Sequence, residues 1–118
     1  MAEYEPLHKP GDEITVTASA AITGGQAVVV TGNWQVGPSS GASAAVVGHA
    51  AFDAASGQEL KIFGRGQVHY VAASGAINAG ARVDSAASGA VASASAGANN
   101  LGVALAAAAD GYVYYMEL

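Results

Sequence analysis

Cysteine is absent from the 118 residues, which excludes disulfides, a thiolate nucleophile and a cysteine-based zinc cluster. Charge is nearly as scarce. Charged residues make up 11% of the chain, the four Lys and Arg are scattered, and the net charge is −5. Nucleic-acid binding needs clustered cations to neutralise phosphates, so the composition predicts no DNA or RNA partner. Large apolar side chains are also few. The chain has 29 Ala, which bury little area, and only 32 Val, Ile, Leu, Met and aromatic residues together. The core must be thin, and thin cores often draw stability from association. The longest Ala-rich run, Val103 to Ala109, is far too short to span a bilayer. The start, Met1-Ala2-Glu3-Tyr4-Glu5-Pro6, has neither the basic nor the apolar region of an export signal. The expectation is a chain made in the cytoplasm, with no membrane partner.

Catalytic patterns are missing too. Serine is common, but no Gly-x-Ser-x-Gly elbow occurs. Gly24-Gly25 and Gly64-Arg65-Gly66 lack the Lys-Ser/Thr or third Gly of a phosphate loop. His8, His49 and His69 are far apart with no carboxylate at ligand spacing, so they read as surface or strand-face histidines. Among Glu13, Asp53, Glu59, Asp84 and Asp110, the residues Asp53 and Asp110 fall in expected turns, where Asp bonds its own backbone. The reading assigns no catalytic, cofactor or metal residue, and no enzyme.

What the chain does carry is short strand patterning. Residues 1–12 form an expected extended N-terminal arm, because Pro6 and Pro10 push their neighbours toward extended backbone. From Glu13 the run Ile14-Thr15-Val16-Thr17-Ala18 alternates with period two, as a strand does. Ala27-Val28-Val29-Val30, a Thr31-Gly32-Asn33 turn and Trp34-Gln35-Val36 read as a hairpin, with a loop over Gly37 to Gly41. The Ala runs at 50–55 and 104–109 could each form a turn of helix. Sixteen glycines and the Val/Thr alternation exclude anything longer. The fold class is all-β, a small β-barrel or β-sandwich over residues 13–118.

The chain also resembles itself. Shifted by 55 residues, Gly11, Val16, Ala18, Ile22, Gly25, Val28 and Val36 fall on Gly66, Val71, Ala73, Ile77, Gly80, Val83 and Val91. After one deletion the shift is 54, placing Gly48, Ala50 and Gly57 on Gly102, Ala104 and Gly111. Two similar half-repeats follow, about 11–63 and 66–118. They predict inward-facing Val16, Ile22, Val28, Leu60 and Ile62, with Val71, Ile77, Val83, Tyr114 and Met116 as counterparts.

The series Gly11-Asp12-Glu13-Ile14-Thr15-Val16, Ala21-Ile22-Thr23-Gly24-Gly25-Gln26-Ala27-Val28, Val47-Gly48-His49-Ala50 and Gly57 to Gly66 has a further likeness. With Ile77 to Val83 and Leu101 to Leu105, it resembles the small capsid cement, or decoration, proteins of tailed bacteriophages and prophages. The resemblance implies a β-rich structural virion protein, often a homotrimer, on the outer surface of the head. There it would bind the major capsid protein and stabilise its lattice. Candidate partner-binding residues are Tyr4, Pro6, Leu7, His8, Lys9 and Pro10 of the arm, with Trp34 and Arg65. Arg65 sits at a turn between glycines, where a long cation can project. Trp34 reads either as a contact residue or as the core aromatic of its hairpin. The alternative function is a surface adhesion or carbohydrate-binding β module, with Trp34, Tyr112 and Tyr115 stacking on sugar rings.

Overall fold

The computed structural model describes Leu7, residues 11–95 and residues 99–118. Of the predicted arm contacts, Tyr4, Pro6, His8, Lys9 and Pro10 lie outside those residues, while Leu7 is exposed. Ten strands are formed and, among the described residues, no α-helix. The first half holds β1 (Ile14–Ala18), β2 (Ala27–Gly32), β3 (Gln35–Pro38), β4 (Val46–Ala50) and β5 (Glu59–Phe63). The second holds β6 (Val68–Ala72), β7 (Arg82–Ser85), β8 (Val91–Ser93), β9 (Gly102–Ala104) and β10 (Tyr112–Glu117).

The strands form where the sequence alternates. Glu59 and Lys61 face out of β5 while Leu60 and Ile62 face in, and β10 alternates likewise over its whole length. The Ala runs form no helix, because their backbone groups are claimed by neighbours. The Ala54 N–H donates to the Ile22 carbonyl and that of Ala108 to Ile77, each at 2.9 Å. A 3-10 turn at Ala87–Gly89 is the one helical turn among the described residues. Gly37 and Pro38 extend β3 rather than opening the loop, since Val29 and Val28 of β2 lie opposite them.

Strands β1-β3-β2-β4-β5 close into a barrel, with β1 parallel to β3 and antiparallel to β5. The second half repeats that order as β6-β8-β7-β9-β10, but its closure shrinks to one parallel bridge, Ala73 to Val91. This bridge is the counterpart of the Ala18–Val36 pair in the first half. The other ladders match residue by residue. Val28 faces Gly48 as Val83 faces Gly102, and Val30 faces Val36 as Ser85 faces Val91. The fold is all-β and built from two similar halves.

The predicted register slips by one residue in the last strand. Val16 pairs with Leu60, whereas Val71 pairs with Val113; Ile14 pairs with Ile62, whereas His69 pairs with Tyr115. The counterparts of Leu60 and Ile62 are therefore Val113 and Tyr115, and the expected Tyr114 and Met116 face outward. The cause is a second deletion in the turn before β10. The Ala18 N–H donates to Gln58, while the equivalent Ala73 N–H donates to Gly111. Because side chains alternate, one residue of slip moves the whole set to the opposite face.

Each half has its own apolar core. One gathers Val16, Ile22, Val28, Val36, Leu60 and Ile62; the other gathers Val71, Ile77, Val83, Val91, Leu101, Val113 and Tyr115. The halves meet along a polar seam. Ser39 Oγ donates to the Ala86 carbonyl at 2.7 Å, the Gly89 N–H to Ser39 O at 3.0 Å, and Gln26 Nε2 to Ser88 O at 3.0 Å. Ser85 Oγ donates to Gly41 O at 2.8 Å and accepts from the Ser43 N–H at 3.0 Å. Val46 of β4 also packs against the second core.

Candidate functional site

Duplication supplies an internal comparison for every surface. On the outer face of β1 and β5 stand Glu13, Thr15, Thr17, Glu59 and Lys61, with Lys61 Nζ 3.4 Å from Glu13 Oε2. This face is polar. The matching positions of β6 and β10 carry Val68, Tyr70, Ala72, Tyr112 and Tyr114, extended by Met116. Tyr70 is 55% exposed, Tyr114 51% and Tyr112 46%, and Val68 and Met116 are also exposed. The Tyr70 ring lies 4.3 Å from that of Tyr114, its cross-strand partner, and 5.2 Å from that of Tyr112.

The first half shows that this fold needs no apolar outer face. The second half presents one nonetheless, and stacks its rings into a continuous aromatic ridge. Contiguous exposed apolar area of this kind marks interaction surfaces, and Tyr is enriched in them. A groove of about 230 Å³ runs beside the ridge between Tyr70, Tyr112, Thr23, Gln26 and Ser88.

A second arrangement is buried in the seam. His49 from β4, His69 from β6 and Tyr115 and Glu117 from β10 converge, with the two imidazole centroids 4.4 Å apart. His49 Nδ1–H donates to the Gly25 carbonyl at 2.8 Å, which fixes Nε2 as the acceptor for the Tyr115 hydroxyl. His69 Nε2 lies 3.0 Å from Glu117 Oε1. Burial, reinforced by the charge His69 can carry and opposed by the Gly25 bond, lowers the His49 pKa to about 4. Burial, with the Glu117 carboxylate beside it, raises that of Tyr115.

Replacing Tyr115 by Phe removes the donor and leaves a buried imidazole nitrogen unpaired. The expected loss is about 1–3 kcal/mol. The Tyr115→Phe protein should show a lower urea midpoint with an unchanged slope.

Several sequence expectations resolve here. Of the two readings of His49 and His69, the strand-face one holds, since they lie in β4 and β6, and the surface one is overturned: they are 2% and 8% exposed and touch each other. Only the packing of β4 of the first half against β6 of the second brings them together, and no spacing in the sequence encodes that. Tyr115 is fully buried, so it offers no ring to a sugar. Trp34 is neither core nor strand. It occupies the β2–β3 turn with φ of 56° and is 61% exposed. Arg65 is exposed and lines a hollow of about 220 Å³ with Ser43, Asn99, Asn100, Glu117 and Leu118. Asp53 does not bond its own turn as expected: its Oδ1 accepts the Gly24 N–H at 2.8 Å, across 29 residues, and so ties two loops together. The structure brings Leu7, Trp34 and Arg65 into no common site. The Tyr70-Tyr112-Tyr114 ridge was missed, although the alternation Tyr112-Val113-Tyr114-Tyr115-Met116 carried the signal once its register was right.

Comparison with known proteins agrees in kind. A family model described as phage cement protein matches residues 8–115. The fold is similar to that of the head fiber gp8.5 N base in bacteriophage phi29, at 14% identity and TM-score 0.68. That alignment covers 91% of this chain and 93% of the other. No curated protein sequence matches.

Proposed function

The chain belongs to the phage cement protein family, and on that footing we propose that it lies on the outside of the head with its tyrosine ridge against the major capsid protein. Its role is structural and associated with the capsid. The ridge carries the proposal, because the equivalent face of the first half is polar and the fold itself imposes no aromatic surface there. Half-exposed rings already packed against one another lose little side-chain freedom on docking, so most of their burial is available as binding free energy. Bridging neighbouring capsid subunits in this way means that rupture of the lattice must also break these contacts.

Association into trimers fits the same reading, since two small cores leave stability to be gained at interfaces. The arm, residues 1–12, would add contacts through Tyr4, Pro6, Leu7, His8, Lys9 and Pro10, and Trp34 and Arg65 stand free to contribute at the rim. The proposed role is structural and asks for no catalysis.

Heads lacking the protein provide the assay. Purified chain should bind them saturably and raise the temperature at which they rupture. Failure to bind would refute the capsid role. Deleting residues 2–10 should lower occupancy while the domain stays folded, and unchanged occupancy would remove the arm from the mechanism.

A further inference from the structure

The four buried polar groups of the seam occupy positions that the other half fills with apolar residues or glycine. By the strand registers, His69 corresponds to Ile14, Tyr115 to Ile62, His49 to Val103 and Glu117 to Gly64. The repeated unit itself therefore accepts apolar residues or glycine at these positions. Burying two imidazoles and a carboxylate costs solvation that an apolar seam would avoid. Their convergence calls for another reason.

We propose that His49, His69 and Glu117 form a binding site for one divalent transition-metal ion of the zinc class, which staples the two half-repeats together. One donor atom of each residue lies within 4.8 Å of the others, and all three residues are buried. The Nδ1–H of His49 is held by the Gly25 carbonyl, so its Nε2 lone pair points into the cluster. That backbone bond is the usual support of a metal-bound imidazole. Two imidazoles and one carboxylate suit zinc, and the Tyr115 hydroxyl, already on His49 Nε2, borders the fourth position. On binding, the ion takes the His49 Nε2 lone pair from the Tyr115 hydroxyl and the place of the proton between His69 Nε2 and Glu117; that proton moves to His69 Nδ1 from a neutral ring and to solvent from a charged one. Glu117 also lines the hollow beside Arg65 and Asn100.

The site takes His49 from the first half and His69 and Glu117 from the second. Binding therefore resists separation of the halves, and its free energy adds to stability.

The test uses the full chain, stripped with EDTA and titrated with Zn²⁺ by calorimetry and with Co²⁺ by visible absorption. One ion per chain, the intense absorption of tetrahedral Co²⁺ and a higher thermal midpoint are expected. His49→Gln and Glu117→Gln should each weaken binding by about 100-fold or more, a loss at least as large as that from removing an outer-shell partner. His8→Ala should leave zinc affinity unchanged. If either variant fails to fold, anomalous diffraction from Zn²⁺-soaked wild-type crystals locates the ion directly. No binding at millimolar Zn²⁺, binding abolished by His8→Ala, or an anomalous peak away from the cluster would each overturn the proposal.

Discussion

Replacing Tyr70 and Tyr114 together by Ser should detach the protein from heads without unfolding it. Both rings are about half exposed and face each other across β6 and β10, so their loss forfeits the Tyr70 contacts with Tyr114 and Tyr112, about 1 kcal/mol each. The binding loss should be larger. Buried aromatic anchors commonly account for about 2 kcal/mol or more each, so affinity for heads should fall by about 100-fold or more. The measurement is a binding isotherm on heads lacking the protein, run beside a urea melt of each variant. The duplicated fold supplies the control. Thr15→Ser with Lys61→Ser alters the equivalent cross-strand pair of the first half, and should leave affinity unchanged. Equal losses from both pairs would mean that the ridge is not the docking face.

Gly102→Ala should be the most damaging conservative change in the second half. Gly102 sits in β9 between Val83 of β7 and Glu117 of β10. A Cβ there would fall on the Met116 carbonyl oxygen and the Tyr115 ring, at separations below the 3.0 Å that real contacts respect. The obstruction is partly backbone, so it cannot rotate away. The strand pair must open, and the expected cost is about 3 kcal/mol or more. Small domains have about 5–15 kcal/mol in total, so a chain with two thin cores should come close to unfolding at growth temperature. Gly41→Ala, which meets nothing within 4 Å, should leave the urea midpoint in place. A Gly102→Ala protein as stable as the Gly41→Ala protein would show that β9 lies farther from β10 than described here.

Much of the fold was legible because it rests on local patterning. Alternating Val, Thr and Ile marked the strands, and the spacing of Ile22, Val28 and Val36 against Ile77, Val83 and Val91 exposed the duplication. Legibility failed where loops decide register. The turn before β10 is one residue shorter than its counterpart, and that single deletion sends Tyr114 outward and Tyr115 inward. From sequence, Tyr115 looked like a surface ring and Tyr114 like core, so the ridge and the buried cluster were missed for one reason. Trp34 misled differently. A large aromatic beside a strand suggests core, yet a tight hairpin turn needs residues at positive φ and leaves their side chains in solvent. Convergence of His49, His69 and Glu117 depends on how one half packs on the other, and no local pattern reports that.

The seam between the halves has a polarity of its own. The side of the first half carrying Gln26, Ser39 and Val46 meets the end of the second half carrying Ser85 and Gly89. A contact between two unlike surfaces can in principle repeat without limit, each copy offering its free end to the next, and growth of that kind yields fibres. Gly89 permits the contact, because a Cβ there would lie 2.5 Å from that of Gln26. At the corresponding turn of the first half the chain carries Trp34, projecting into solvent. No further copy can seat there in the same way. One indole thus blocks, at the free end of the first half, the contact that joins the two repeats.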